Sequence, residues 1–177
     1  MGLQLIFCVE TNKQADTDWV YIEETLKAYY QLPNQVKRTK INMETKSKYN
    51  SRKVLGEIEK LTKAYKDHAH GETKVIYCID TDAYESNYEQ KKELDNIKGF
   101  CGKSGYDLIW FCHDVEEVFL GKQVENSQKK KEAGTFRSSR GIARVREEKL
   151  SASETRSKSS NLLRVLDKYL ERNTDIS

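Results

Sequence analysis

The sequence predicts an α/β domain of Rossmann-like form, with a mostly parallel sheet sandwiched by helices. Short apolar runs at Leu3–Val9, Lys74–Ile79 and Asp107–Cys112 read as buried strands, each brief, nearly continuous and closed by charge. Segments with apolar residues at helical spacing stand between them, and such alternation builds a largely parallel sheet with helices on both faces. The length, 177 residues, suits one domain with its own hydrophobic core.

Taken in order, the first strand stops at Glu10. Asp16 to Asp18 then offer capping side chains to a helix carrying Trp19, Ile22, Leu26, Tyr29 and Tyr30, which Pro33 ends. Val36–Ile41 alternates with Lys and Arg, as an edge strand does. Asn50 or Ser51 caps a helix with Val54, Ile58, Leu61 and Tyr65 on one stripe. The run KVIYCI follows as the clearest strand, β-branched and aromatic until Asp80 and Asp82. A polar helix from about Glu85 to Cys101 presents Leu94, Ile97 and Phe100, and Gly102 and Gly105 supply its stop and turn. After Asp107–Cys112, a short helix spans Asp114 to Leu120.

From there the composition changes. Lys122 to Lys158 holds 11 Lys or Arg against 5 Asp or Glu, although the whole chain carries only +3. The expected organisation is an α/β core over residues 1–121, a basic, Ser-, Lys- and Arg-rich flexible segment or insertion over 122–159, and a C-terminal helix over 160–173. Leu162, Leu163, Val165, Leu166, Tyr169 and Leu170 would dock that helix on the core. Within the basic segment Lys129, Lys130, Lys131, Arg137, Arg140, Arg144 and Arg146 are candidates for neutralising a nucleic-acid backbone, reading charge more than sequence.

No apolar run approaches the roughly 20 residues that cross a bilayer, and MGLQLIFCVE lacks the basic region and cleavage site of a signal peptide. Three of the four cysteines, Cys8, Cys78 and Cys112, lie in apolar strand-like runs and none forms a CxxC pair, which argues against zinc and disulfides. The expectation is a cytoplasmic protein with no membrane partner.

Three strands end in acids: at Glu10, at Asp80 with Asp82 two residues on, and before His113, Asp114, Glu116 and Glu117. In a parallel sheet these ends share one edge, where ligands of such folds bind. Crowded carboxylates repel one another unless a cation or solvent relieves them, and hard oxygen donors suit magnesium or manganese. His113 beside these acids reads as a hydrogen-bonded structural residue, and His68 and His70 as surface.

An apolar strand ending in Glu10, two strand–helix units, and a strand ending Asp80-Thr81-Asp82 resemble the Toprim domain of topoisomerases, primases and OLD-type nucleases. Within that group the chain looks most like the RloB-like proteins. Glu10-Thr11-Asn12-Lys13, followed by Thr17-Asp18-Trp19-Val20-Tyr21, is similar to their EGEKTE motif and Tyr-containing helix. Ile79-Asp80-Thr81-Asp82 is similar to FDRD, and Val115-Glu116-Glu117-Val118-Phe119 to an FELW-like helix start. Thr11 stands where the family has Gly, Asn12 where it has an acid, and the Pro of the third motif is missing.

The resemblance implies a metal-dependent nuclease acting on DNA or RNA, associated with bacterial defence or mobile elements and working beside an operon-encoded partner such as an ATPase. It implies magnesium or manganese on Asp80 and Asp82, with Glu10 completing the metal site or acting as general acid or base. Glu116 aligns with a further family acid better than Glu117 does, and Lys13 would contact phosphate. Two other readings are a Toprim shell that binds nucleic acid or senses without catalysis, and a haloacid-dehalogenase-like phosphatase, whose nucleophile strand VIYCIDTD also resembles.

Overall fold

The computed structural model describes residues 2–11 and 15–174. Strands β1 (Leu3–Val9), β2 (Val36–Asn42), β3 (Glu72–Asp80), β4 (Asp107–Cys112) and β5 (Ser159–Ser160) form one sheet in the order β2-β1-β3-β4-β5. The first four are parallel, and the two-residue β5 runs antiparallel to β4. Helices α1 (Thr17–Tyr29), α2 (Arg52–Ala69) and α3 (Tyr88–Ser104) connect the parallel strands. Beyond β4 come α4 (Val115–Leu120), α5 (Asn126–Ser138), α6 (Glu147–Leu150) and α7 (Leu162–Leu166). No helix of the described residues is long and apolar enough to cross a membrane.

The alternation of side chains along the strands divides the core in two. Leu5, Phe7 and Val9 of β1 face Tyr21, Ile22 and Leu26 of α1, together with residues of α4, α5 and α7. Ile6 and Cys8 face the other way, against Val54 and Ile58 of α2 and Leu94 and Ile97 of α3. All four cysteines are free and buried. The chain thus winds outward from β1 to β2 by a helix on one face, and through β3 to β4 by helices on the other. The winding reverses between β1 and β3, and in such sheets this reversal opens a crevice at the carboxyl ends of the strands.

Local signals fix the helix ends. The Ser51 side chain accepts the Val54 amide, Asn87 accepts that of Gln90, and Asp114 accepts that of Glu117. At the C-terminus of α3, Gly105 takes the left-handed conformation at φ 68°.

The segment from 122 to 159 differs from the flexible stretch expected of its composition. Ala133 and Phe136 of α5, then Ile142, Val145 and Leu150, all enter the core. Phe136 packs against Tyr21 at 4.9 Å and Phe119 at 5.6 Å between ring centroids. Gly141 gives the Phe136 ring its room, since a Cβ there would stand 2.3 Å from the ring. Few apolar residues suffice because they are spaced to fall on one side of short helices, leaving the charges outward. The terminal helix is also shorter than expected, with buried Leu162, Leu163, Val165 and Leu166 docking it.

Phe136→Ala should therefore cost about 3–5 kcal/mol, seen as a lower urea midpoint with an unchanged slope. A loss below about 0.5 kcal/mol would mean that this segment does not belong to the core.

Candidate functional site

The reversal point brings together the ends of β1 and β3. Glu10, just past β1, accepts the Asp80 amide on Oε1 at 2.8 Å. Asp80, the last residue of β3, accepts the Val115 amide at the start of α4 on Oδ1 at 3.0 Å. The ladder then continues through Thr81, whose amide reaches the Phe111 carbonyl at 2.9 Å, and Asp82, whose amide reaches the His113 carbonyl at 2.9 Å. Asp82 has a left-handed backbone, φ 50°, and its carboxylate bonds the Lys46 ammonium. Lys46 also donates to the Asp80 carbonyl at 2.8 Å. It lies in the 3₁₀ turn Lys46–Lys48 beyond β2, where the Thr45 side chain accepts the Ser47 amide.

A second part of the cluster lies on the α1 face. Asp18, buried in the first turn of α1, shares its field with Asp114 and Glu116. Glu116 is fully buried and receives the Lys129 ammonium of α5 on Oε2 at 2.9 Å. Its Oε1 is buried with no hydrogen-bond partner among the described residues, an arrangement that costs free energy unless something else satisfies it.

Burial dominates the electrostatics. It pushes the Glu10 carboxyl up to about 8, with Asp18 and Asp82 adding to the rise and Lys46 and the Asp80 amide opposing it. It pushes Asp18 up to about 7, helped by Glu116 and resisted by Lys129. Asp80 is held well above the carboxyl range by burial, then by Glu10 and Asp18. Glu116 is raised by burial despite its bond to Lys129. Burial pulls Lys46 down, but the bond to Asp82 and the charge of Glu10 outweigh it. Glu10 and Asp18 thus protonate near neutrality, in a cluster that two ammonium groups steady.

Among the described residues, one trio of His, Cys, Asp or Glu has its ligand atoms all within 4.8 Å: Glu85, Cys112 and His113. The ligand atoms of Glu10, Asp80 and Asp82 stand wider apart than that. The His113 ring bridges Glu117 at 3.0 Å and Glu85 at 3.1 Å, while burial raises the Cys112 thiol. That set, containing a protonated thiol, is a poorer match to magnesium than the all-oxygen cluster.

The structure therefore places Glu10, Asp80, Asp82 and Glu116 at one edge, and turns Glu117 away to His113. Lys13 lies outside the described residues. Of the basic candidates, Lys129 is committed to Glu116, and Arg137 clamps Glu23 and Glu24 of α1 at 2.8 and 3.2 Å. Arg144 bonds Ser139, Arg146 stands 3.6 Å from Glu148, and Lys130, Lys131 and Arg140 are exposed. Sequence reasoning missed Asp18 and Lys46. Asp18 reads as one of three interchangeable capping residues, and its burial in the first turn is the signal that sets it apart. Lys46 gives no local signal, since its partner is 36 positions away.

An acid whose pKa rises on folding binds protons in the folded state that the unfolded state has released. Stability therefore falls as pH climbs from the ordinary carboxyl range to the raised value. For Glu10 and Asp18 that interval runs from 4.5 to about 8 and from 3.8 to about 7. The melting temperature should fall across it, and Glu10→Gln, which keeps an oxygen for the Asp80 amide, should flatten the fall. A melting temperature that rises across this interval in the parent would contradict the assignment. Comparisons with protein-family models, with curated proteins and with solved structures find no match to this chain.

Proposed function

We propose that this chain is a metal-dependent nuclease hydrolysing phosphodiester bonds of DNA or RNA, with magnesium or manganese on Asp80, Asp82 and Glu10. The observation that carries the reading is the joining of Glu10 to Asp80 at the reversal point of the sheet, among carboxyls whose pKa values burial has raised. It agrees with the Toprim and RloB-like resemblance, which asks for an acid after the first strand and a DxD after the third.

The residues fit such an ion by their chemistry. The donors are hard oxygens gathered at one edge, and beside them Oε1 of Glu116 is buried with no hydrogen-bond partner among the described residues. A divalent ion held there would offset charge developing on a phosphoryl oxygen and acidify a bound water. Glu10, titrating near neutrality, is suited to hold or release a proton at that edge as general acid or base. Lys46 pairs with Asp82 and Lys129 with Glu116, so two of the acids at this edge are held in ion pairs. In a defence or mobile-element setting the chain would work beside an operon-encoded partner such as an ATPase.

Glu10→Gln should lower magnesium-dependent cleavage by about a hundred- to ten-thousand-fold and leave the fold intact at pH 7. Single- and double-stranded DNA and structured RNA would be assayed, with and without the operon partner. Equal cleavage by parent and variant would remove Glu10 from the mechanism. No cleavage by the parent under any condition would favour the non-catalytic shell, and a phosphoryl group trapped on Asp80 would favour the phosphatase.

A further inference from the structure

The basic residues of the 122–159 segment are not equivalent once their partners are known. Lys122 pairs with Glu132, Lys129 with Glu116, and Arg137 with Glu23 and Glu24. Among the described residues Lys149, Arg156 and Lys158 have no ion pair, and these three converge. With Arg146, Ser157 and Ser159 they line one hollow of about 340 Å³, in which Glu148 is the single acid. Arg146 and Glu148 are both mostly exposed and 3.6 Å apart, a surface pair worth little to either. The hollow is thus lined by four cations that their own carboxylates leave largely uncompensated.

Its position is fixed by the sheet. The Lys158 amide donates to the Cys112 carbonyl at 2.6 Å, and β5 pairs with the end of β4 through Cys112 and Ser159. The Tyr84 hydroxyl donates to Thr155 Oγ1 at 3.0 Å, tying the loop beyond Asp82 to the same segment. The hollow therefore flanks the carboxyl edge of the sheet two strands from β3. Two strand spacings are about 10 Å, a span that the phosphates flanking a scissile one can bridge. A strand whose phosphodiester lies at Asp80 and Glu10 would carry its neighbouring phosphates into the hollow.

We propose that this hollow, formed by Arg146, Lys149, Arg156 and Lys158, is the docking site for the phosphodiester backbone of the substrate strand. The assignment rests on the nuclease reading for its ligand class and extends it to residues outside the acidic cluster. Exposed Arg156 and Lys158 reach phosphate oxygens as charged donors, and the bases play no part, so the site holds nucleic acid without regard to sequence.

Binding of a fluorescein-labelled oligonucleotide, followed by anisotropy in chelator so that no cleavage occurs, tests the proposal separately from the nuclease reading. Arg156→Ala with Lys158→Ala should weaken affinity by about tenfold or more and lower the salt slope by about one to two. Lys60→Ala with Lys63→Ala, which removes the same charge from exposed positions of α2 outside the hollow, should change neither. Inorganic phosphate should compete only at far higher concentration than unlabelled oligonucleotide. A parent that binds in this way but never cleaves leaves the hollow standing and removes the nuclease. Parental affinity and salt slope in the Arg156/Lys158 variant, equal losses in both double variants, no binding by the parent, or competition by phosphate at oligonucleotide concentrations would each overturn the proposal. Unchanged melting temperatures assign any loss to the hollow and not to the fold.

Discussion

The parallel pairing of β1 with β3 sets two acidic strand ends side by side, and the arrangement of the whole edge follows from it. Register places Val9 against Cys78, so Glu10, the next residue outward, lies beside Ile79 and within reach of the Asp80 amide where the sheet reverses its winding. The hydrogen bond from the Asp80 amide to Glu10 then fixes one carboxyl in place with a backbone group instead of a cation. A backbone amide carries only a partial charge. It orients Glu10 without fully compensating it, and burial keeps the carboxyl proton bound near neutrality.

Around this pair the protein uses two lysines with care. Lys46 and Lys129 approach the cluster from opposite faces of the sheet, one from the turn after β2 and one from α5. Each pairs with one outer carboxylate, while burial raises the pKa of the central acids, Glu10, Asp18 and Asp80. Full neutralisation by lysine would give a stable, closed knot of ion pairs. Partial neutralisation leaves carboxyls whose protons a divalent ion would displace on binding. The same helix that delivers Lys129 is held by Phe136 against Tyr21 and Phe119, so core packing sets the electrostatics of the edge.

Much of the α/β fold was legible because β1, β3 and β4 are buried on both faces and so read as unbroken apolar runs, an unambiguous signal when flanked by amphipathic helices. The acidic strand ends were legible for the same reason, since each stands where such a run stops. What was hidden depends on contacts distant in sequence. Lys46 finds Asp82 across the β2–β3 crossover, and nothing near Lys46 announces it. The basic segment misled because its charges are frequent and its core contacts few. Ala133, Phe136, Ile142, Val145 and Leu150 are too thinly spread to stand out by composition, yet spacing along short helices brings them to one side. Its lysines and arginines read as one patch, whereas Lys129 and Arg137 serve the fold and only Lys149, Arg156 and Lys158 gather unpaired around a hollow.

The account turns on whether the all-oxygen cluster is where a divalent ion goes. Crystals soaked in manganese, with anomalous diffraction recorded near the manganese absorption edge, locate the ion directly. The account predicts an anomalous peak bounded by Glu10, Asp80 and Asp82, with the three carboxylates drawn closer together than in the metal-free protein. A peak at Glu85, Cys112 and His113 instead, or an ordered crystal with no peak at the acidic edge, would contradict it.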